Sequence, residues 1–329
     1  MKPTPTAETA IEPHEPHWIS RIAFPILSAL LFITQVSLGF AVYHSNYWLA
    51  VPLVLISSHL MHGIVIGFHE AAHGLLRKNR LLNEIDGLII GTLSLMSFSL
   101  YRAAHQLHHA YLASERDEEL WPFVHPQVSR RARVLAAVLE LTIGLLFTPY
   151  LFARIFLRTG SPIRNKKLRR RIWTEFAVAA IIWTAILTAV AVFDVWKYFL
   201  WLHLLPAWLA ANMQSLRKYV EHVGLTGSTV NSSTRSIVAE GWVATFANFT
   251  LLHEPYHGVH HWRSGMPHPE LPAHAAALEP NAKEERPPFR TFGAALHDLF
   301  IHLADPRVGS QWLGVARKTR QKLAKQRVN

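Results

Sequence analysis

The 329-residue chain is 50% hydrophobic and only 17% charged, and its apolar residues fall in long runs, which argues for membrane spans and against an ordinary soluble domain. It contains no Cys, so disulfides, thiolate metal sites and iron–sulfur clusters held by this chain are excluded, and its 21 His become the main ligands for a transition metal. The net charge of +11 comes from basic clusters beside apolar segments, which fits lipid headgroups and a cytoplasmic face better than nucleic acid.

Residues 1–17 are polar and Pro-rich, lack the pattern of a cleaved signal, and read as a flexible cytoplasmic tail. The integral membrane domain is expected over 18–304. Its first two spans, 22–43 and 47–67, are joined by a short turn and read as a helical hairpin. Residues 172–193 and 197–216 read as a second hairpin, kinked near its end by Pro206. Two further apolar stretches, 87–100 and 134–157, are expected to be interfacial or re-entrant helices. The second is long enough to cross, but Arg130, Arg131 and Arg133 precede it and the basic run Arg164 to Arg171 follows, so a single crossing would leave one basic cluster outside. With four spans, the clusters at Arg77-Lys78-Arg80, 130–133 and 164–171 and a basic tail over 305–329 all lie on the cytoplasmic side. Residues 265–290 are Pro-rich and irregular, and 291–304 has the pattern of a surface amphipathic helix. The fold class is therefore an all-α membrane protein of four transmembrane helices in two hairpins, with interfacial helices and a cytoplasmic histidine-rich cap.

Three histidine clusters carry the chemistry: His69 and His73 in HEAAH, His105, His108 and His109 in HQLHH, and His257, His260 and His261 in HGVHH. On a helix, positions i, i+3 and i+4 share a face, so each cluster presents two or three imidazoles together. The span map brings all three to the cytoplasmic membrane surface, where ionisable groups mark function. Eight imidazoles exceed what one zinc needs and suit two metals with about four each. Taken alone, HExxH is the zinc-peptidase pattern with Glu70 as base. That reading lacks a third ligand near the site, since Asp194 falls at the outer turn, and it leaves both HxxHH clusters unused.

In these motifs and their order the chain resembles the membrane fatty-acid desaturase family, from His69 to the Pro-rich stretch after His261. The resemblance implies two non-haem iron ions, O₂ as co-substrate, a lipid acyl substrate, and an external electron donor of ferredoxin or cytochrome type. It implies removal of hydrogen from two neighbouring methylenes, or, in hydroxylases and carotenoid ketolases of the same superfamily, addition of oxygen. It also implies a ninth ligand, His222, at the end of the last span. Where the stearoyl-CoA branch has an Asn four residues earlier, this chain has Lys218, so that feature is not carried over. Glu70 is expected to hold an imidazole rather than act as a base, and Glu221 and Glu254, each near a ligand position, either to do the same or simply to meet solvent. His253 is a candidate for an additional supporting group, and His59 and His62 for helix packing or a substrate channel. The other histidines, His268 among them, have no partner at ligand spacing.

Overall fold

The computed structural model describes residues 18–314. Among them the secondary structure is helical, apart from an isolated bridge between Ile237 and Phe289. Helices α1 (Ala23–Tyr43) and α2 (Tyr47–His73) pack against each other across a three-residue turn. Asn46 caps α2 by accepting from Leu49 N–H, and Gly74, at φ 78°, ends it. That left-handed conformation favours glycine because a Cβ there crowds the following carbonyl. Inside α1, the hydroxyls of Ser28, Thr34 and Ser37 donate to carbonyls four residues earlier, which satisfies them where no water is available.

Helices α3 (Arg80–Leu93) and α4 (Phe98–Tyr111) meet at 101°. The expectation for 87–100 thus resolves into a descent, a turn and a return, with α4 carrying the second histidine cluster back towards the first. Trp183 of α6 (Lys166–Val192) donates from Nε1 to the carbonyl of Thr92, holding the bottom of the turn well down the α6 helix.

Among the described residues, four single helices are long and apolar enough to cross a bilayer: α1, α2, α5 (Arg130–Leu157) and α6. The set differs from the expected one at two places. Residues 134–157, expected to be interfacial or re-entrant although long enough to cross, belong to the 28-residue α5, which meets the requirement of length and apolarity that the sequence already granted it. Its basic flanks bear on orientation, not on helix length or apolarity. The segment 197–216 is not one regular helix. It runs as Trp196–Phe199, a π-helical turn Leu200–Leu204, and α7 (Leu205–His222). Pro206 has no N–H to offer the carbonyl of Leu202, and the ladder loosens immediately upstream, where Leu205 N–H reaches Leu200 O. Helix α5 breaks at Ile143, and α7 side chains repair the break. Asn212 Oδ1 accepts from Gly144 N–H at 2.9 Å, while Asn212 Nδ2 and Trp208 Nε1 donate to Thr142 O at 3.1 and 2.7 Å.

The main core joins α1, α2, α4 and α5 through Phe24, Leu27, Phe68, Phe98, Phe152 and Phe156. Beyond α7, the chain builds a cap from α8 (Trp242–Thr250), α9 (His257–Trp262) and α10 (Phe292–Leu303), the last matching the expected amphipathic helix. Gly63 of α2 meets this cap closely: a Cβ there would lie 2.5 Å from Thr250 O. Residues 305–314, at the start of the expected basic tail, pack on the cap, with Val308 N–H and Trp312 Nε1 both donating to Phe123 O. The remainder of that tail and residues 1–17 lie outside the described residues.

Candidate metal centre

Each histidine cluster sits at a helix end facing the cap. His69 and His73 occupy the last turn of α2, His105, His108 and His109 the last two turns of α4, His222 the final position of α7, and His257, His260 and His261 the short α9. All nine meet in space, in two groups. One comprises His69, His73, His105, His109 and His260; the other comprises His108, His222, His257 and His261. Within each group the candidate ligand atoms lie within 4.8 Å of one another. The sequence spacing suggested about four per metal; the structure gathers five and four.

Hydrogen bonds on the far side of the rings fix their orientation. His105 Nδ1 faces Glu119 at 3.0 Å, His108 Nδ1 faces Asp117 at 2.9 Å, His257 Nδ1 faces Glu254 at 3.0 Å, and His222 Nδ1 faces the carbonyl of Ser233 at 3.2 Å. All four partners are acceptors, so Nδ1 carries the proton and Nε2 presents a lone pair inward. Yet His222 and His257 bring their Nε2 atoms to 2.9 Å, and His261 Nε2 lies 3.1 Å from His257 Nε2. In the other group, His105 Nε2 lies 3.0 Å from His73 Nε2 and 3.1 Å from His109 Nε2, and His109 Nε2 lies 3.0 Å from His260 Nε2. Two lone pairs cannot hydrogen-bond to each other. A cation between them turns the repulsion into coordination, and ligands at about 2.1 Å from one ion, a usual metal–imidazole distance, fit such spacings. His69 points the same way: both its ring nitrogens are buried without a hydrogen-bond partner, as is His260 Nδ1. The donor set therefore fits two metal ions.

Burial first, then neighbouring cations and imidazoles, push the third cluster, His257, His260 and His261, well below the usual imidazole range. These rings are neutral near pH 7, the state in which imidazole ligates metal.

Carboxylates surround the two groups. Glu254 spans them: Oε1 accepts from His257, and Oε2 lies 3.5 Å from His69 Nδ1. Glu221 lies 3.6 Å from His257 Nδ1 and Glu70 lies 3.7 Å from His69 Nδ1, so all three expected acidic residues stand beside candidate ligands. Arg217 pairs with the buried carboxylates of Glu221 and Glu254, neutralising charge that would otherwise be stranded. Lys218 pairs with buried Glu140, which also accepts from Tyr219. His59 bonds Thr250 and His62 is buried in α2. His253 stands outside both groups, its Nδ1 3.1 Å from that of His268. Burial lowers them to about 4 and about 3, the lower value of His268 also reflecting His253. His268, read as ordinary in the sequence, also donates its backbone N–H to Glu70 at 3.4 Å. Sequence reasoning missed Asp117, Glu119 and Arg217. The acidic run at 117–119, just after the second cluster, was the available signal.

A cavity of ≈ 580 Å³ reaches both groups, where His69, His105, His108, His222 and His257 line it, and most of its wall is apolar.

Comparison with known proteins agrees with this site. An omega-3 chloroplastic fatty acid desaturase from Glycine max is 28% identical over 134 residues, 39% of this chain and 29% of that protein. The match thus spans under a third of the relative's length. The sequence profile of the fatty acid desaturases matches residues 46–293, which include all nine clustered histidines, and the chain belongs to the fatty acid desaturase family, a family of oxidoreductases.

Proposed function

We propose that this protein introduces a double bond into a lipid acyl chain, using O₂ and two iron ions, one held by His69, His73, His105, His109 and His260 and the other by His108, His222, His257 and His261. The observation that carries the reading is the convergence of Nε2 lone pairs beside an apolar cavity. The reaction removes two hydrogens from adjacent methylenes while O₂, two electrons and two protons become two waters. When bound, the irons supply the oxidising power for C–H bonds.

The chain's own residues do the rest. Glu119, Asp117, Glu254 and the Ser233 carbonyl hold the imidazoles in one tautomer. Tyr101 stacks on His105 and packs against Phe68 and Phe152, and these three aromatic rings line the cavity near the histidines and exclude water from the reacting methylenes. The electrons come from a separate ferredoxin or cytochrome. The basic clusters favour a cytoplasmic active site, with the apolar helices in the bilayer.

Lipid analysis of a host expressing the chain tests the reading. An acyl chain lighter by two hydrogens is expected; one heavier by oxygen assigns a hydroxylase or ketolase instead. Metal analysis should find close to two irons per chain, whereas a single zinc refutes the di-iron reading.

A further inference from the structure

The cavity that reaches the histidines has its opening in an unusual place. At the metal end the lining histidines are buried, as are Glu140 and Glu221. Among the lining residues, the exposed ones are Ser28 and Phe32 of α1 and Ile89 and Leu93 of α3. Helices α1 and α3 each pack on α2, so the opening lies between them, over the α2 side chains Met61, Ile64 and Val65.

Its depth follows from the helices. Phe32, 70% exposed, is near the middle of the apolar 21-residue α1. Leu93, 46% exposed, ends α3 beside Thr92, whose carbonyl is held by Trp183 far along α6. Both rims therefore stand within the hydrocarbon layer rather than at the headgroups. From the opening, the cavity continues past the histidines and along α7 to His203, about 28 Å from His222 at ~1.5 Å per residue. That arm is lined by partly or fully buried residues, including Ala207, Ala210 and Gln214.

The cations along the cavity are already paired. Arg77 bonds Asp86 at 2.6 Å, Arg217 bonds Glu254 at 2.9 Å, and Lys218 bonds Glu140. A water-soluble acyl carrier with a strongly charged head needs a mouth at the aqueous surface and free positive charge beside it. This cavity offers instead an apolar slot in the depth of the membrane, where the ends of lipid chains lie.

We propose that the substrate enters sideways from the bilayer through the slot between α1 and α3, and is an acyl chain still attached to a membrane glycerolipid. The acyl substrate rests on the function proposed above; the route of entry does not require turnover.

The test uses the purified full-length protein in phosphatidylcholine vesicles. A photoactivatable diazirine is placed near the methyl end of an acyl chain, borne either by phosphatidylcholine in the bilayer or by coenzyme A added from water. Cross-linked residues are read by mass spectrometry. The phosphatidylcholine probe should label the rim residues Phe32 and Leu93 and the interior residues Phe68 and Met96. Ser28→Trp, which fills the slot, should lose the interior labelling, while Ser28→Ala keeps it. If Ser28→Trp does not fold, Leu93→Trp is the second plug. Interior labelling by the coenzyme A probe equal to or above that by phosphatidylcholine overturns the proposal. So does full interior labelling in a folded plugged variant. Because labelling needs no electron donor and no product, failure here is distinct from failure to find a double bond.

Discussion

Asp117 gives the sharpest test of how the imidazoles are held. Its Oδ2 faces His108 Nδ1 at 2.9 Å and accepts from Ala113 N–H at 2.9 Å; its Oδ1 accepts from Leu120 N–H at 3.4 Å. Alanine would strand all three buried donors at about 1–3 kcal/mol each and confuse folding with ligation. Asp117→Asn keeps the shape but has one acceptor oxygen, and its NH₂ faces donors. His108 then loses a charge-assisted bond worth about 1.5–3 kcal/mol. The expected loss of metal affinity is about 10–100-fold, or ~1.4–2.7 kcal/mol, and the two ranges overlap.

The loss should fall on one ion. Asp117 supports His108, which belongs to the group with His222, His257 and His261, whereas Glu119 supports His105 in the other group. Titrating iron-loaded protein with a chelator, and measuring the iron that remains, should show each of Asp117→Asn and Glu119→Gln releasing about one iron early. The double variant should release both. Wild-type retention in Asp117→Asn refutes the tautomer argument. A double variant that still holds one iron as tightly as wild type refutes the division into two groups.

His260→Ala should abolish product while leaving helix content, read by circular dichroism, unchanged; full product formation sinks the site. Gly63→Ala places a Cβ 2.5 Å from Thr250 O and 3.1 Å from Leu27, against backbone that cannot turn aside, and should cost about 1–3 kcal/mol, read as a lower melting temperature in detergent. Chelator-stripped protein should lose stability on acidification. His257, His260 and His261 titrate well below the ordinary value of 6.5, so below that pH the unfolded chain binds more protons than the folded one. The stability these three rings contribute is thus fully present above about pH 6.5 and falls as pH drops towards the folded values; a melting temperature that responds to acid no differently after His257, His260 and His261 are replaced by Gln would contradict it.

The histidine clusters were legible because helical spacing is local: i, i+3 and i+4 are set by the chain itself. Their partition was not, because it depends on how α2, α4, α7 and α9 cross. Asp117 and Glu119 were not assigned because they reach back to α4 from an irregular segment with no period to read. The first two spans were legible as uninterrupted apolar runs. The interruption of 197–216 was placed at Pro206, but the helix yields upstream, where the missing N–H leaves a carbonyl free. Glu254 and Glu221 were legible by adjacency to ligands. Their partner Arg217 was not, since an Arg-Lys pair at the end of a span carries no spacing signal that ties one of them to a carboxylate on another segment.

The spacing within HxxHH takes on a specific meaning once the two groups are known. Successive helix residues turn by about 100°, so i and i+4 stand about 40° apart while i+3 lies about 60° to the other side of i. In α4 the i and i+4 rings, His105 and His109, join the five-histidine group, and the i+3 ring, His108, joins the other. In α9 the assignment is inverted: His257 and His261 join the four-histidine group and His260 crosses to the five. Each helix stands between the two groups and contributes to both, and the two do so in opposite senses, as helices facing each other across a shared pair would. Each group therefore draws rings from both α4 and α9, so neither helix can shift without disturbing both sets of candidate ligands.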